Sequence, residues 1–206
     1  MKMNENKAYT RELITFNLVK ANLYALVSII PIIIIYVIPY YLIWRDSINK
    51  ETIKNLLIYY KHNGYLNPVL IFTIIMFLLT IGIILHELIH GITWAKFTKN
   101  GFKSIRFGVL WKFLTPYCHC KEPLLIKHYI IGAIMPAIIL GLLPAIISLI
   151  TGNVILLIFG IFFTMAAFGD FMIVFLLIKE NKNSLVQDHP SEVGCYIYKE
   201  NKIKSS

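Results

Sequence analysis

The chain has little of what a soluble domain or a disulfide-stabilised protein of 206 residues requires. Only 15% of its residues are charged, only three are cysteines, and no stretch between its apolar segments exceeds about 40 residues. A disulfide framework is therefore not implied, and no extramembrane segment is large enough for an independent core. In contrast, 57% of the residues are hydrophobic and the mean hydropathy is +0.68. This composition predicts an integral membrane protein.

Four apolar segments are long enough to cross a bilayer, which takes about 20 helical residues. They cover residues 23–44, 67–90, 124–151 and 154–178, and a polar tail follows at 179–206. We therefore expect an all-α integral membrane protein with about four transmembrane helices and one membrane-embedded domain over residues 1–206.

Two connecting segments have patterns of their own. Before the first span, Leu13, Phe16 and Val19 alternate with polar residues, which suits a short interfacial helix or a frayed start of the span. Between the second and third spans, residues 104–110 and 112–120 are rich in Phe, Val, Tyr and Thr. This region predicts a short β-hairpin or a re-entrant loop.

Basic residues outnumber acidic ones by 20 to 11 and are distributed by segment rather than in one tract. If the N-terminus is inside, sixteen of them lie on the cytoplasmic side, counting Lys127 at the start of the third segment, and four lie outside. The charge therefore predicts a multi-pass protein of the cell membrane with both termini cytoplasmic. We expect the lipid bilayer as a partner and do not expect nucleic acid.

The most informative motif is His86-Glu87-Leu88-Ile89-His90, which ends the second apolar segment. On a helix, residues four apart share one face, so both imidazoles can bind one Zn²⁺, and Glu87 can act as general base. Ionisable residues in a membrane segment are costly and usually functional. The alternatives are structural histidines or a degenerate site.

A zinc ion bound by two histidines of one helix needs a third protein ligand. Asp170 is the one ionisable residue of the fourth span and lies nine residues before Lys179, about 13 Å from the membrane edge. The two histidines lie about 12 Å from the same edge, measured from Lys96. This common depth favours Asp170, with Gly169 permitting close helix approach. The alternative is a polar residue that bonds a neighbouring helix.

Two further histidines lie in polar motifs. His189, within Asp188-His189-Pro190, is the second candidate for the third ligand, although the motif also suits a local turn. His119, within Cys118-His119-Cys120, is a possible substrate-contacting or accessory residue. A separate zinc site in that triplet is disfavoured, because adjacent residues of a strand point to opposite faces.

These residues resemble a known family. The segment HELIHGITWAKF, the loop at 117–123, Gly169-Asp170 and the tail at 188–194 resemble the putative zincin peptidases, which are small bacterial membrane proteins. The resemblance covers roughly residues 66–198 and implies a distant similarity to site-2 proteases, which bind zinc with two histidines and an aspartate.

Together, motif and resemblance predict a zinc-dependent intramembrane or juxtamembrane endopeptidase that cuts membrane-associated proteins or peptides. Its cofactor would be Zn²⁺, and an exposed hairpin edge could pair with an extended substrate. Two other functions stay open. One is a non-catalytic membrane binding or regulatory protein that keeps the zinc-site fold, and the other is a metal transporter. The sequence does not indicate the oligomeric state.

Overall fold

The computed structural model describes residues 9–15, 18–47, 54, 58, 68–111, 115–189 and 194–200. Its helices are α1 (Leu18–Trp44), α2 (Pro68–Ala95), α3 (Ile126–Pro136), α4 (Leu143–Thr151), α5 (Val154–Ala166) and α6 (Phe168–Leu177). A 3₁₀ turn covers Gly101–Ser104, and a π-helical segment at Ala137–Leu142 joins α3 to α4. Its strands are β1 (Tyr9–Thr15), β2 (Ile105–Leu110), β3 (Thr115–Cys120), β4 (Leu124–Leu125), β5 (Leu185–Asp188) and β6 (Gly194–Glu200).

Three helical stretches are long and apolar enough to cross a membrane: Leu26–Trp44, Val69–Ala95 and Ile126–Thr151. A fourth span requires α5 and α6 to act together, although they meet at an angle of 46°. In each of the first two stretches, 11% of the most apolar 18-residue segment is buried inside the protein, whereas in the third stretch 39% of it is buried. The third stretch is therefore the central one, and the three to four candidate spans are compatible with a membrane protein.

The surface of α1 and α2 is largely apolar. Ile30, Phe72 and Phe77 are each more than 60% exposed. An apolar surface this extensive is unfavourable in water and favourable against lipid.

Small residues permit close packing between helices. A side chain at Gly82 of α2 would overlap the ring of Phe163 in α5, and one at Gly141 would overlap Thr164. The expectation for Gly169 was wrong: a Cβ placed there meets no atom within 4 Å. Close approach therefore occurs along α5 and not beside Asp170.

Polar side chains of α1 bind the end of α4. Tyr40 Oη donates to the carbonyl of Gly152 at 2.5 Å, and Trp44 Nε1 donates to the carbonyl of Leu149 at 3.0 Å. Gly152 has φ +71 at the C-terminus of α4, a conformation that favours glycine. These bonds satisfy helix-end carbonyls that have no partner within the helix.

The extramembrane segments form two antiparallel sheets. β2 and β3 form a hairpin in which Ile105 pairs with Cys120 and Leu110 with Thr115. The other sheet has the order β1-β6-β5-β4. It makes the all-α expectation too simple for this chain.

The start of the chain differs most from expectation. Tyr9–Thr15 is a strand paired with Gly194–Glu200, and not the interfacial helix suggested by Leu13 and its neighbours. The partner strand is almost the whole chain length away, so no local pattern could reveal it. Phe16, part of that pattern, lies outside the described residues, and Val19 belongs to α1.

The four-stranded sheet packs on the ends of the helices near the candidate site. Its inward side chains Val186, Cys195 and Ile197 are fully buried and belong to one core with Leu177 of α6 and Trp94 of α2. This shared core fixes the ends of α2 and α6 relative to each other.

Candidate metal centre

Helix α2 carries both histidines of the HExxH motif on one buried face. The Nε2 atoms of His86 and His90 are 3.2 Å apart, and their ring centroids are 4.9 Å apart. The helical repeat accounts for this proximity, since residues i and i+4 lie one above the other. Close packing of α2 against the hairpin adds burial, because any side chain at Gly91 would contact Phe107 and Ile105.

Asp170 completes the group from the first turn of α6. Its Oδ2 lies 3.2 Å from His86 Nε2, and its Oδ1 lies 3.3 Å from His90 Nε2. The bend between α5 and α6 falls at Ala167, three residues earlier. The structure therefore brings together the three residues that the sequence singled out as zinc ligands.

The spacing of these atoms fits a tetrahedral metal site. One ligand atom from each residue lies within 4.8 Å of the others, so the group could hold a metal ion. For Zn–N distances of 2.0–2.1 Å, the edges of a tetrahedron measure about 3.3–3.4 Å. The two imidazole nitrogens, 3.2 Å apart, are close to this edge length, and each lies 3.2–3.3 Å from a different oxygen of the Asp170 carboxylate. Two imidazoles and a carboxylate are also a donor set typical of catalytic zinc.

The two histidines differ in how their remaining ring nitrogens are satisfied. His90 Nδ1 lies 2.8 Å from the carbonyl oxygen of Gly132, so it carries a proton and donates it. That tautomer leaves the lone pair of Nε2 directed at the group. His86 Nδ1 is buried and has no hydrogen-bond partner among the described residues.

Glu87 is only partly buried and stands beside the group rather than in it. Its carboxylate interacts with the backbone N–H of Cys118 in β3. In the hairpin, Lys121 N–H donates to the carbonyl of Ser104, so Ile105 and Cys120 form a non-hydrogen-bonded pair. Hydrogen-bonded and non-hydrogen-bonded pairs alternate along an antiparallel ladder, so the backbone N–H and C=O groups of Cys118 and Cys120 both point away from β2. The Cys118 N–H therefore faces the side on which Glu87 lies.

His119 and His189 do not enter the group of potential metal ligands among the described residues. His119 lies on β3 opposite Arg106. His189 follows β5, and its ring contacts that of Tyr196 at 4.9 Å.

The Cys118-His119-Cys120 triplet does not form a second metal group in the part of the chain that the structure describes. All three cysteines are free. Burial raises the pKa of Cys120 and of Cys195 to about 12, and it also raises the pKa of Cys118.

Sequence reasoning missed an aromatic and polar array behind His90. The ring of Trp94 stacks on His90 with centroids 5.1 Å apart, and Tyr129 stacks on Trp94 at 5.0 Å. Tyr129 Oη in turn donates to Asp188, whose Oδ2 accepts the N–H of Cys120 at 2.8 Å. The one feature of the sequence that indicates this array is the spacing of Trp94, which follows His90 by four residues.

Asp188 is thus a buried residue at the end of β5. Burial raises the pKa of its carboxyl group, while the bonds from Cys120 and Tyr129 act in the opposite direction. The bonds tie the tail strand to the hairpin and to α3.

Comparison with known proteins identifies the family to which the chain belongs. Residues 79–185, just over half of the chain, match the family described as "Putative zincin peptidase". The matched range contains the HExxH motif and Asp170 but not His189. No match was found among curated proteins or among solved structures.

Proposed function

Because the chain belongs to the family of putative zincin peptidases, we propose that it is a zinc-dependent endopeptidase that acts within or beside the membrane. The observation that carries the proposal is the convergence of His86 Nε2 and His90 Nε2, 3.2 Å apart, on the Asp170 carboxylate, with each nitrogen 3.2–3.3 Å from one of its two oxygens. This geometry supports His86, His90 and Asp170 as the ligands of Zn²⁺, in an arrangement like that of site-2 proteases.

A zinc ion held by these three residues would supply Lewis acidity for the activation of water and the polarisation of a peptide carbonyl. The protein's part is to hold the reactants and move protons. Glu87, whose carboxylate lies near the backbone N–H of Cys118, accepts the proton of the attacking water and returns it to the leaving amine. The partial exposure of Glu87 allows a substrate to reach it.

The outer edge of β3 is the proposed substrate-binding element. Its outward-facing residues are Pro116, which has no N–H, and Cys118 and Cys120, whose N–H groups face Glu87 and Asp188. This edge therefore offers carbonyl acceptors rather than free donors. A substrate strand would pair by donating its own N–H groups to these carbonyls.

The proposed substrates are membrane-associated proteins or peptides. Apolar helices flank the group, and the described residues include no separate soluble domain that could select substrates. The distribution of basic residues supports a multi-pass arrangement in the cell membrane with both termini in the cytoplasm.

Metal content of the detergent-purified protein tests the ligand set. We expect about one zinc per chain by elemental mass spectrometry in the wild type, in Glu87→Gln and in the control His189→Ala. The zinc should be lost in His86→Ala and Asp170→Ala, because each removes a ligand. Zinc-free folded wild type would refute the proposal, and loss of zinc in His189→Ala but not in Asp170→Ala would make His189 the third ligand.

Catalysis needs a separate test, because a binding protein could keep the zinc site. Membranes from cells that express the wild type or Glu87→Gln would be compared by mass spectrometry of new protein N-termini. We expect cleavage products that depend on the wild type and are absent with Glu87→Gln. Identical sets of N-termini would favour a non-catalytic binding or regulatory protein.

A further inference from the structure

We propose that Pro136 is a positioning residue for the metal site: it leaves the Gly132 carbonyl free to accept the Nδ1 proton of His90. The inference rests on the proposed zinc function and assigns a role to residues that bind neither metal nor substrate. It follows from where the backbone hydrogen bonds of α3 go.

In an α-helix, the N–H of residue i+4 donates to the carbonyl of residue i. The residue four positions after Gly132 is Pro136, which has no N–H. The next N–H, of Ala137, donates to the carbonyl of Ile134. The Gly132 carbonyl therefore receives a hydrogen bond from neither of these positions.

A buried carbonyl without a donor is costly, so this oxygen needs a partner from another element. His90 of α2 supplies it, with Nδ1 at 2.8 Å in a buried position. The bond fixes both the tautomer and the plane of the imidazole. Nε2 is then the ring nitrogen left to bind a metal ion, and it lies 3.2 Å from His86 Nε2 and 3.3 Å from Asp170.

Gly132 also has to lack a side chain. A Cβ at this position would overlap the indole of Trp94, which fills the space between α2 and α3. Trp94 Nε1 donates to the carbonyl of Tyr129 at 3.0 Å, and its ring lies within 15° of parallel to His90. The His90 ring is thus held by a hydrogen bond at its edge and by a stacked ring on its face.

His86 provides an internal contrast. Its Nδ1 has no hydrogen-bond partner among the described residues, so its ring is oriented by packing and by the group itself. Removal of the hydrogen bond to the second ring nitrogen of a metal-binding histidine typically lowers metal affinity by 10–100-fold. A substitution that weakens the hydrogen bond between the Gly132 carbonyl and His90 should therefore lower the zinc affinity of the protein.

The test restores the missing donor. Pro136→Ala and Pro136→Val both introduce an N–H that competes with His90 for the Gly132 carbonyl, and valine keeps the three side-chain carbons of proline. The matched control is Pro144→Ala, the same chemical change in α4 of the same helical segment, outside the metal group. Zinc affinity of each full-length protein in detergent would be measured by competition with a chromogenic chelator.

We expect zinc affinity to fall by about 10-fold or more in both Pro136 variants and by less than about 2-fold in Pro144→Ala. Wild-type affinity in both Pro136 variants would overturn the inference and leave the proposed function intact. A folded wild type that binds no zinc would instead refute the proposed function.

A measurement on the wild type keeps the inference falsifiable if the variants do not fold. In the Co²⁺-loaded protein, the exchangeable ring N–H protons of the two histidine ligands give separate shifted NMR signals. We expect one slowly exchanging signal, from the His90 proton bonded to Gly132, and one that exchanges faster, from His86. Fast exchange of both protons would overturn the inference.

Discussion

The buried carboxyl group of Asp188 offers a sharp test of how the tail sheet is held to the helices. It accepts hydrogen bonds from the Cys120 N–H and from Tyr129 Oη, and all three groups are buried. In Asp188→Ala both donors lose their partner without gaining water. At about 1–3 kcal/mol for each unsatisfied group, we expect a loss of roughly 3 kcal/mol. Asp188→Asn retains an acceptor and should lose only about 1 kcal/mol.

Thiol labelling measures this free energy locally. Cys195 is fully buried next to Asp188 in the sheet, and burial raises the pKa of its thiol to about 12, so it reacts only when the sheet opens. A loss of about 3 kcal/mol predicts labelling about 150-fold faster in Asp188→Ala, and about 5-fold faster in Asp188→Asn. The exposed substitution Asn183→Ala is the control and should leave the rate unchanged. Equal labelling rates in wild type and Asp188→Ala would refute the reasoning.

The pH dependence gives an independent check. Because burial raises the pKa of Asp188, the folded state binds its proton more readily than the unfolded chain does. The resulting stability is complete below the unfolded pKa of about 4 and is lost as pH rises through the folded pKa. After correction for the intrinsic reactivity of an unfolded thiol, opening should become easier with rising pH in wild type. In Asp188→Asn this contribution should be absent.

Two further predictions concern packing and the loop after α2. Gly82→Ala places a methyl group against Phe163 and should lower the free energy of unfolding by about 1–3 kcal/mol, measured by thermal unfolding. In the control Gly169→Ala the methyl group meets no atom, so stability should not change. Equal effects of the two substitutions would contradict the packing argument. Glu122 accepts hydrogen bonds from the Ser104 hydroxyl and from the backbone of Lys99, which lower its pKa to about 2. Its stabilisation is therefore present above pH of about 4.3 and lost toward pH 2, and Glu122→Gln should remove this acid dependence in unfolding measurements.

Much of the helical architecture could be predicted from composition, because a long apolar run has few stable alternatives to a helix in a membrane. The HExxH spacing placed two imidazoles on one face, and the common depth of Asp170 singled out the third residue of the group. The sheet that joins both chain ends could not be predicted. Its strands pair Tyr9 with Glu200, and such non-local pairing leaves no periodic trace in either segment alone.

The missing part of the site prediction has a different physical cause. The partner of His90 Nδ1 is a backbone carbonyl, which every residue has, so no residue type marks it in the sequence. What distinguishes the Gly132 carbonyl is the lack of two things: a side chain at its own position and an N–H four residues later. In a membrane helix, glycine and proline at this spacing suggest an ordinary kink. Here the same pair leaves the Gly132 carbonyl without a donor in its own helix, so it can accept the proton of His90 Nδ1. An interruption of the hydrogen bonding in α3 thereby fixes the orientation of a proposed zinc ligand in α2.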